Sequence, residues 1–90
     1  MRVTYDPIKR EQTLSNRGLD MAQAAEVFIG TTLTVEDDRL DYGEPRFITI
    51  GLLDGRMVVI VWTPRDDSYR ISSMRKANVR EQALYGKRLG

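Results

Sequence analysis

The hydrophobic pattern changes period several times along the chain, and each change marks an element. Met1 to Tyr5 alternates, with Val3 and Tyr5 on one face, and reads as a short strand. Asp6-Pro7 then signals a helix start. The Asp6 side chain can accept from the free N–H groups of the first turn, and Pro7 has no N–H to leave unpaired. The helix is predicted to run to about Asn16 and to end at Gly18, with Ile8 and Leu14 as its main apolar anchors. Leu19-Asp20 opens a second helix. Asp20 and Gln23 have the spacing of a capping box. Met21, Ala24, Ala25 and Phe28 follow the i, i+3, i+4, i+7 spacing of one buried face, and Gly30 closes the helix.

The second half reads as strands. Thr31 to Val35 is rich in β-branched residues, and Glu36 to Glu44 is an acidic, solvated loop. Arg46 to Leu52 is the next strand, followed by Asp54-Gly55, a two-residue hairpin signal. Met57 to Trp62 is apolar on both faces and is expected at the centre of the sheet, covered on both sides. Pro64 to Asp67 makes a turn, Tyr69 to Met74 the last strand, and a helix is predicted from about Lys76 or Ala77 to about Lys87. The order β-α-α-β-β-β-β-α, with tight turns between successive strands, predicts an α+β fold. Its antiparallel sheet has two helices before it and one after.

Composition narrows the chemistry. Ninety residues, 41% of them hydrophobic, make one small domain (1–90) with a thin core, the kind that leans on a partner. With no cysteine and no histidine, disulfides, thiolate catalysis, a Ser-His-Asp triad and the usual zinc sites are excluded. No apolar run spans a membrane and no signal-peptide core opens the chain, so a cytoplasmic location is expected. The net charge is only +1, yet Tyr69 to Gly90 carries Arg70, Arg75, Lys76, Arg80, Lys87 and Arg88 against the single acid Glu81. Such a cationic junction of strand and helix suits a phosphate chain, and equally a solvated surface.

Four ordered pieces carry a family resemblance. They are Tyr5-Asp6-Pro7 with a helix closing on Arg17-Gly18; Asp20…Ala24-Ala25…Phe28; Glu44-Pro45-Arg46-Phe47-Ile48-Thr49-Ile50-Gly51; and Arg70-Ile71-Ser72-Ser73-Met74-Arg75-Lys76-Ala77 with Arg80-Glu81 and Tyr85 beyond. Together they resemble the BrnT family of type II toxins, small bacterial ribonucleases. The resemblance implies a RelE-like fold and a growth-arresting, metal-independent mRNA endonuclease without a cofactor, acting on RNA free or on the ribosome. It also implies a hetero-oligomer with a BrnA-like antitoxin, which neutralises the toxin and carries the DNA-binding region, so that DNA is met only through the antitoxin. Two departures stand out. The family's Lys-His-Gly turn is Asn16-Arg17-Gly18 here, so any role of that histidine is absent. The family's Trp-Asp-Pro start is Tyr5-Asp6-Pro7.

RNA can be cut by its own 2′-hydroxyl if the enzyme holds the phosphate in line, neutralises developing charge and moves two protons. Forked arginine donors suit the first two tasks. Alternation puts Arg70 and Ser72 on one face with Met74 continuing it, and Arg46 on a face with Ile48 and Ile50. If those faces coincide, Arg46 and Arg70 could clamp one phosphate. Arg75, Lys76, Arg80 and Ser72 would then extend an RNA-binding surface. The plain alternative for each arginine is an edge charge that keeps the sheet soluble. Glu44 and Tyr85 are the candidates for proton transfer, against a solvated loop charge and a packing residue. Trp62 reads as core, and Tyr69 is open between packing and base stacking. The acidic loop lacks the spacing and glycine of an EF-hand, so no metal site is assigned. The same basic patch, with no conventional acid or base, also fits a non-catalytic module that binds nucleic acid or docks an acidic partner.

Overall fold

The computed structural model describes residues 2–89, so the expected strand position at Met1 lies outside the described residues. The elements are β1 (Arg2–Thr4), α1 (Pro7–Arg17), a 3₁₀ turn (Met21–Gln23) running into α2 (Ala24–Ile29), β2 (Leu33–Glu36), β3 (Phe47–Leu53), β4 (Arg56–Arg65), β5 (Ser68–Lys76) and α3 (Val79–Leu89). Their order is the one read from the pattern. The strands form one sheet, β1-β5-β4-β3-β2. β2 to β5 are antiparallel neighbours, as their connections suggested. β1 has no such turn and adds to the far edge in parallel, with Thr4 opposite Arg70, so the sheet is mixed. Asp54 and Gly55 both have positive φ (51° and 77°), which is the geometry of the tight hairpin between β3 and β4.

α1 starts and stops where its caps dictate. Asp6 Oδ1 accepts the Ile8 N–H at 2.8 Å, and Gly18 ends the helix at φ 68°. Its anchors differ from the expected ones. Ile8 is 66% and Leu14 47% exposed. The face turned to the body carries Arg10, Thr13 and Arg17 at i, i+3, i+7. Arg10 forks onto Asp20 (2.7 and 3.0 Å), Thr13 is buried, and Arg17 Nη1 donates to the Met74 carbonyl at 3.0 Å. Polar contacts hold this helix, so an apolar count pointed to the wrong side.

The second helix is also re-phased. Asp20 accepts the Ala22 N–H, but it caps a 3₁₀ turn, in which residues three apart eclipse. Met21 therefore stacks over Ala24, and Val27 replaces Ala25 as the next buried side chain, while Phe28 is half-buried. Together these side chains cover one face of the sheet, the helical face. Val58, Ile60, Trp62, Ile71, Met74 and Leu53 fill the core there with Leu19, Met21, Ala24 and Val27. Gly51 on β3 is required by this packing: a Cβ there would lie 2.6 Å from Val27 Cγ1. Trp62 sits in the core, as its alternation predicted, stacked on Tyr69 (4.2 Å between centroids) and Phe47 (5.0 Å). Its Nε1 donates to Thr49 Oγ1 at 2.8 Å.

The opposite face is only half covered. α3 lies over one end, where Leu89 and Tyr85 pack with Ile50, Met57, Val59 and Ala77. β5 runs on to Lys76, paired with Val58, so α3 begins at Val79, later than predicted. Its start is a reciprocal capping box: Asn78 Oδ1 accepts the Glu81 N–H, and Glu81 accepts the Asn78 N–H.

Candidate active site

Register decides which side chains share the uncovered end of that half-open face. Thr63 of β4 pairs with Arg70 of β5, and Trp62 pairs with Phe47 of β3. Continuing β3 back by one residue sets Arg46 opposite Thr63 on its other side. The backbone there is still laddered, since the Arg46 carbonyl accepts the Asp37 N–H at 2.7 Å. By that continuation Arg46, just outside β3, falls in line with the paired Thr63 and Arg70. The two arginines are two strand spacings apart, about 10 Å between Cα atoms. Behind them runs a strip of Val35, Ile48 and Val61 on the same face.

The arginines of the chain fall into two sets. Arg10, Arg39, Arg65 and Arg75 each hold a carboxylate. Among the described residues neither Arg46 nor Arg70 is ion-paired. Arg46 lies over the Tyr42 ring, 4.3 Å from its centroid, and its Nε is buried without a hydrogen-bond acceptor. Tyr42 in turn donates to Asp37 Oδ2 at 3.3 Å. Asp37 is buried and gripped by Arg39 at 2.7 and 2.9 Å, which holds its carboxyl down at about 2. The expected solvated loop is therefore built around a buried carboxylate. The Asp37-x-Arg39 spacing with Tyr42 was the readable signal. Side chains of the segment from Glu36 to Arg46 line an open concavity of about 390 Å³ beside Arg46.

The other site candidates scatter. Glu44 lies at the arginine end, paired with Arg65 at 3.1 Å and exposed. Tyr85 is half-buried at the opposite end, packed with the cluster containing Val59. Val59 lies four residues from Thr63 on β4, about 13 Å away. Arg75 is not a free cation: Glu81 takes both of its terminal nitrogens at 2.8 Å. That fork holds the Glu81 carboxyl down at about 2. Lys76 and Arg80 are exposed beside it.

Ser72 and Met74 correct the alternation argument. Trp62 pairs with Ile71 but Val61 pairs with Ser73, so Ser72 is an extra, unpaired residue. This bulge shifts the phase of β5. Met74 joins Ile71 in the core, on the face opposite Arg70, and Ser72 lines a cleft beside α1. Tyr69 stacks against Trp62 in the aromatic cluster. Among the described residues no three carboxylate, histidine or cysteine side chains converge as metal ligands, and no helix is long and apolar enough to cross a membrane.

Comparison with known proteins covers most of this architecture. A family model described as "Ribonuclease toxin, BrnT, of type II toxin-antitoxin system" matches residues 5–81, the span from the α1 cap through the α3 capping box. No curated protein matches the chain.

Proposed function

The chain belongs to the BrnT family of ribonuclease toxins of type II toxin–antitoxin systems, and from that premise we propose that it cleaves RNA without metal at the Arg46–Thr63–Arg70 row. The observation that carries this reading is the pair of arginines without carboxylate partners, flanking a buried threonine on the half-open face. Both forks present terminal N–H donors to non-bridging phosphate oxygens. The 2′-oxygen attacks phosphorus, and its proton passes to Glu44, an exposed carboxylate at this end of the sheet. The bond to the 5′-oxygen breaks, and that oxygen takes a proton from water. The products are a 2′,3′-cyclic phosphate and a 5′-hydroxyl. Arginine does not give up its proton at any working pH, so its part is charge stabilisation alone. Expression alone arrests growth, and an antitoxin that covers the half-open face restores it.

The test uses purified chain and a single-stranded RNA in excess chelator, reading cleavage rate and product ends. Arg46→Ala and Arg70→Ala are each expected to slow cleavage about 10²–10³-fold, the usual cost of one lost oxyanion donor, with folding intact by circular dichroism. Wild-type rates in both folded variants would overturn the assignment. RNA binding without cleavage by the wild type would leave a binding module instead.

A further inference from the structure

β1 ends at Thr4, opposite Arg70, so β5 from Ile71 onward has no strand on that side. Its backbone direction there can be counted. The Ala77 N–H donates to Met57 O on β4, so Lys76 and Met74, in the alternate positions, turn their backbone groups to the free edge. α1 lies beside this edge, and Arg17 caps the Met74 carbonyl. Between α1 and β5 a cleft of about 220 Å³ remains, bordered by Lys9, Gln12, Asn16, Arg17, Ser72 and Ser73.

Three features bear on what this cleft can hold. No carboxylate borders it, and Glu11 of the same helix lines the neighbouring groove with Ile8 and Ser15. Among the described residues Lys9 and Arg17 have no ion-pair partner. Finally, Ser72 is the residue the β4–β5 ladder does not use, and bulges of this kind re-aim a side chain. Two cations, three hydroxyls (Thr13 with the two serines) and two amides around one concavity form a phosphate-binding set. At about 30 Å³ per water the volume holds roughly seven waters, enough for a phosphate with its sugar.

We propose that this cleft is a second phosphate subsite, which grips the RNA backbone next to the cleaved position and lengthens the footprint over the free edge of β5. The proposal rests on the ribonuclease reading above. Ser72 stands two residues from Arg70, about 7 Å along the strand; because Arg70 is on the half-open face and the cleft lies on the α1 side, the RNA backbone turns over the free edge of β5 between them. The same chemistry would accept a free inorganic phosphate, so the test separates the two sources.

Binding of an uncleavable 2′-O-methyl oligoribonucleotide and of the corresponding dinucleotide is measured against salt, for wild type, Lys9→Gln, Ser72→Ala and Arg17→Gln. Removing Lys9 should weaken the long ligand and lower its log–log salt slope by about 0.7, the value for one single-strand phosphate contact. Ser72→Ala should weaken it without changing the slope. Dinucleotide affinity should stay unchanged in both. Arg17→Gln also loses its tie to Met74, so the first two variants decide the matter if it is unstable. Unchanged long-ligand binding in Lys9→Gln and Ser72→Ala would overturn the proposal. So would equal loss on long ligand and dinucleotide, or amide shifts at Ser72 and Ser73 that inorganic phosphate produces as readily as the oligonucleotide. Arg46→Ala/Arg70→Ala serves as the separating control. If the chain binds but never cuts, the dependence on Lys9 can still hold while the catalytic reading falls.

Discussion

The two faces of this sheet handle burial differently. On the helical face Ile60, Ile71, Met74 and Val58 are almost wholly excluded from water, and even the polar Thr49 is absorbed by Trp62. On the other face α3 covers one end, and the remainder carries Arg46, Thr63, Arg70 and a half-exposed apolar strip. Fold stability and chemistry are thus separated by the thickness of one strand.

The largest blow to that division should come from Trp62→Ala. It removes two stacked neighbours and leaves the Thr49 hydroxyl without its indole donor. A loss of about 3–5 kcal/mol is expected in urea unfolding, with cleavage per folded molecule unchanged. A cost below about 1 kcal/mol would mean the helical face is not the main store of stability. Gly51→Ala probes the same face through its tightest approach. The added methyl meets the stiff, buried Val27 side chain, and overpacking of about 1–3 kcal/mol is expected. Unchanged stability would show that α2 yields easily.

The half-open face should respond more mildly. Asn78→Ala removes the cap of α3 and should cost about 1 kcal/mol, read as faster amide exchange in α3 than in β4. Uniform loss across both would show that α3 folds with the core. The smallest effect is in acid. Arg75 holds the Glu81 carboxyl at about 2, below its ordinary 4.5. A depressed carboxyl contributes stability that is complete above 4.5 and disappears as pH falls toward 2. Glu81→Gln keeps the capping geometry and should flatten that part of the acid-unfolding curve. The same acid slope in wild type and variant would remove the Arg75–Glu81 pair from the account.

Legibility followed locality. Asp6-Pro7 with Gly18, and Asp54-Gly55, act within a few residues of themselves, so the sequence states them directly. The α3 capping box was equally local, yet the charged pair Arg75-Lys76 drew the predicted helix start upstream of Asn78. Features that depend on a partner strand were hidden. Ile8 and Leu14 looked like anchors because nothing in α1 itself says that Asp20 and the Met74 carbonyl will take Arg10 and Arg17. The bulge at Ser72 exists only against β4, and the alignment of Arg46 with Arg70 exists only through Thr63. The family resemblance named those arginines, but no spacing along the chain places them in one row.

The unpaired Ser72 has a consequence at the level of the gene. Ser72 and Ser73 are adjacent and identical, so losing either codon yields the same polypeptide. That shortened strand would keep every β4 partner, with Ile71 and Met74 still inward and Arg70 and Arg75 still outward. A one-codon deletion beyond the serines, at Arg75, would instead turn every later side chain of the strand to the opposite face. The serine pair is therefore the place in β5 where length can drift between lineages while the fold persists, and the surface at the strand's free edge drifts with it.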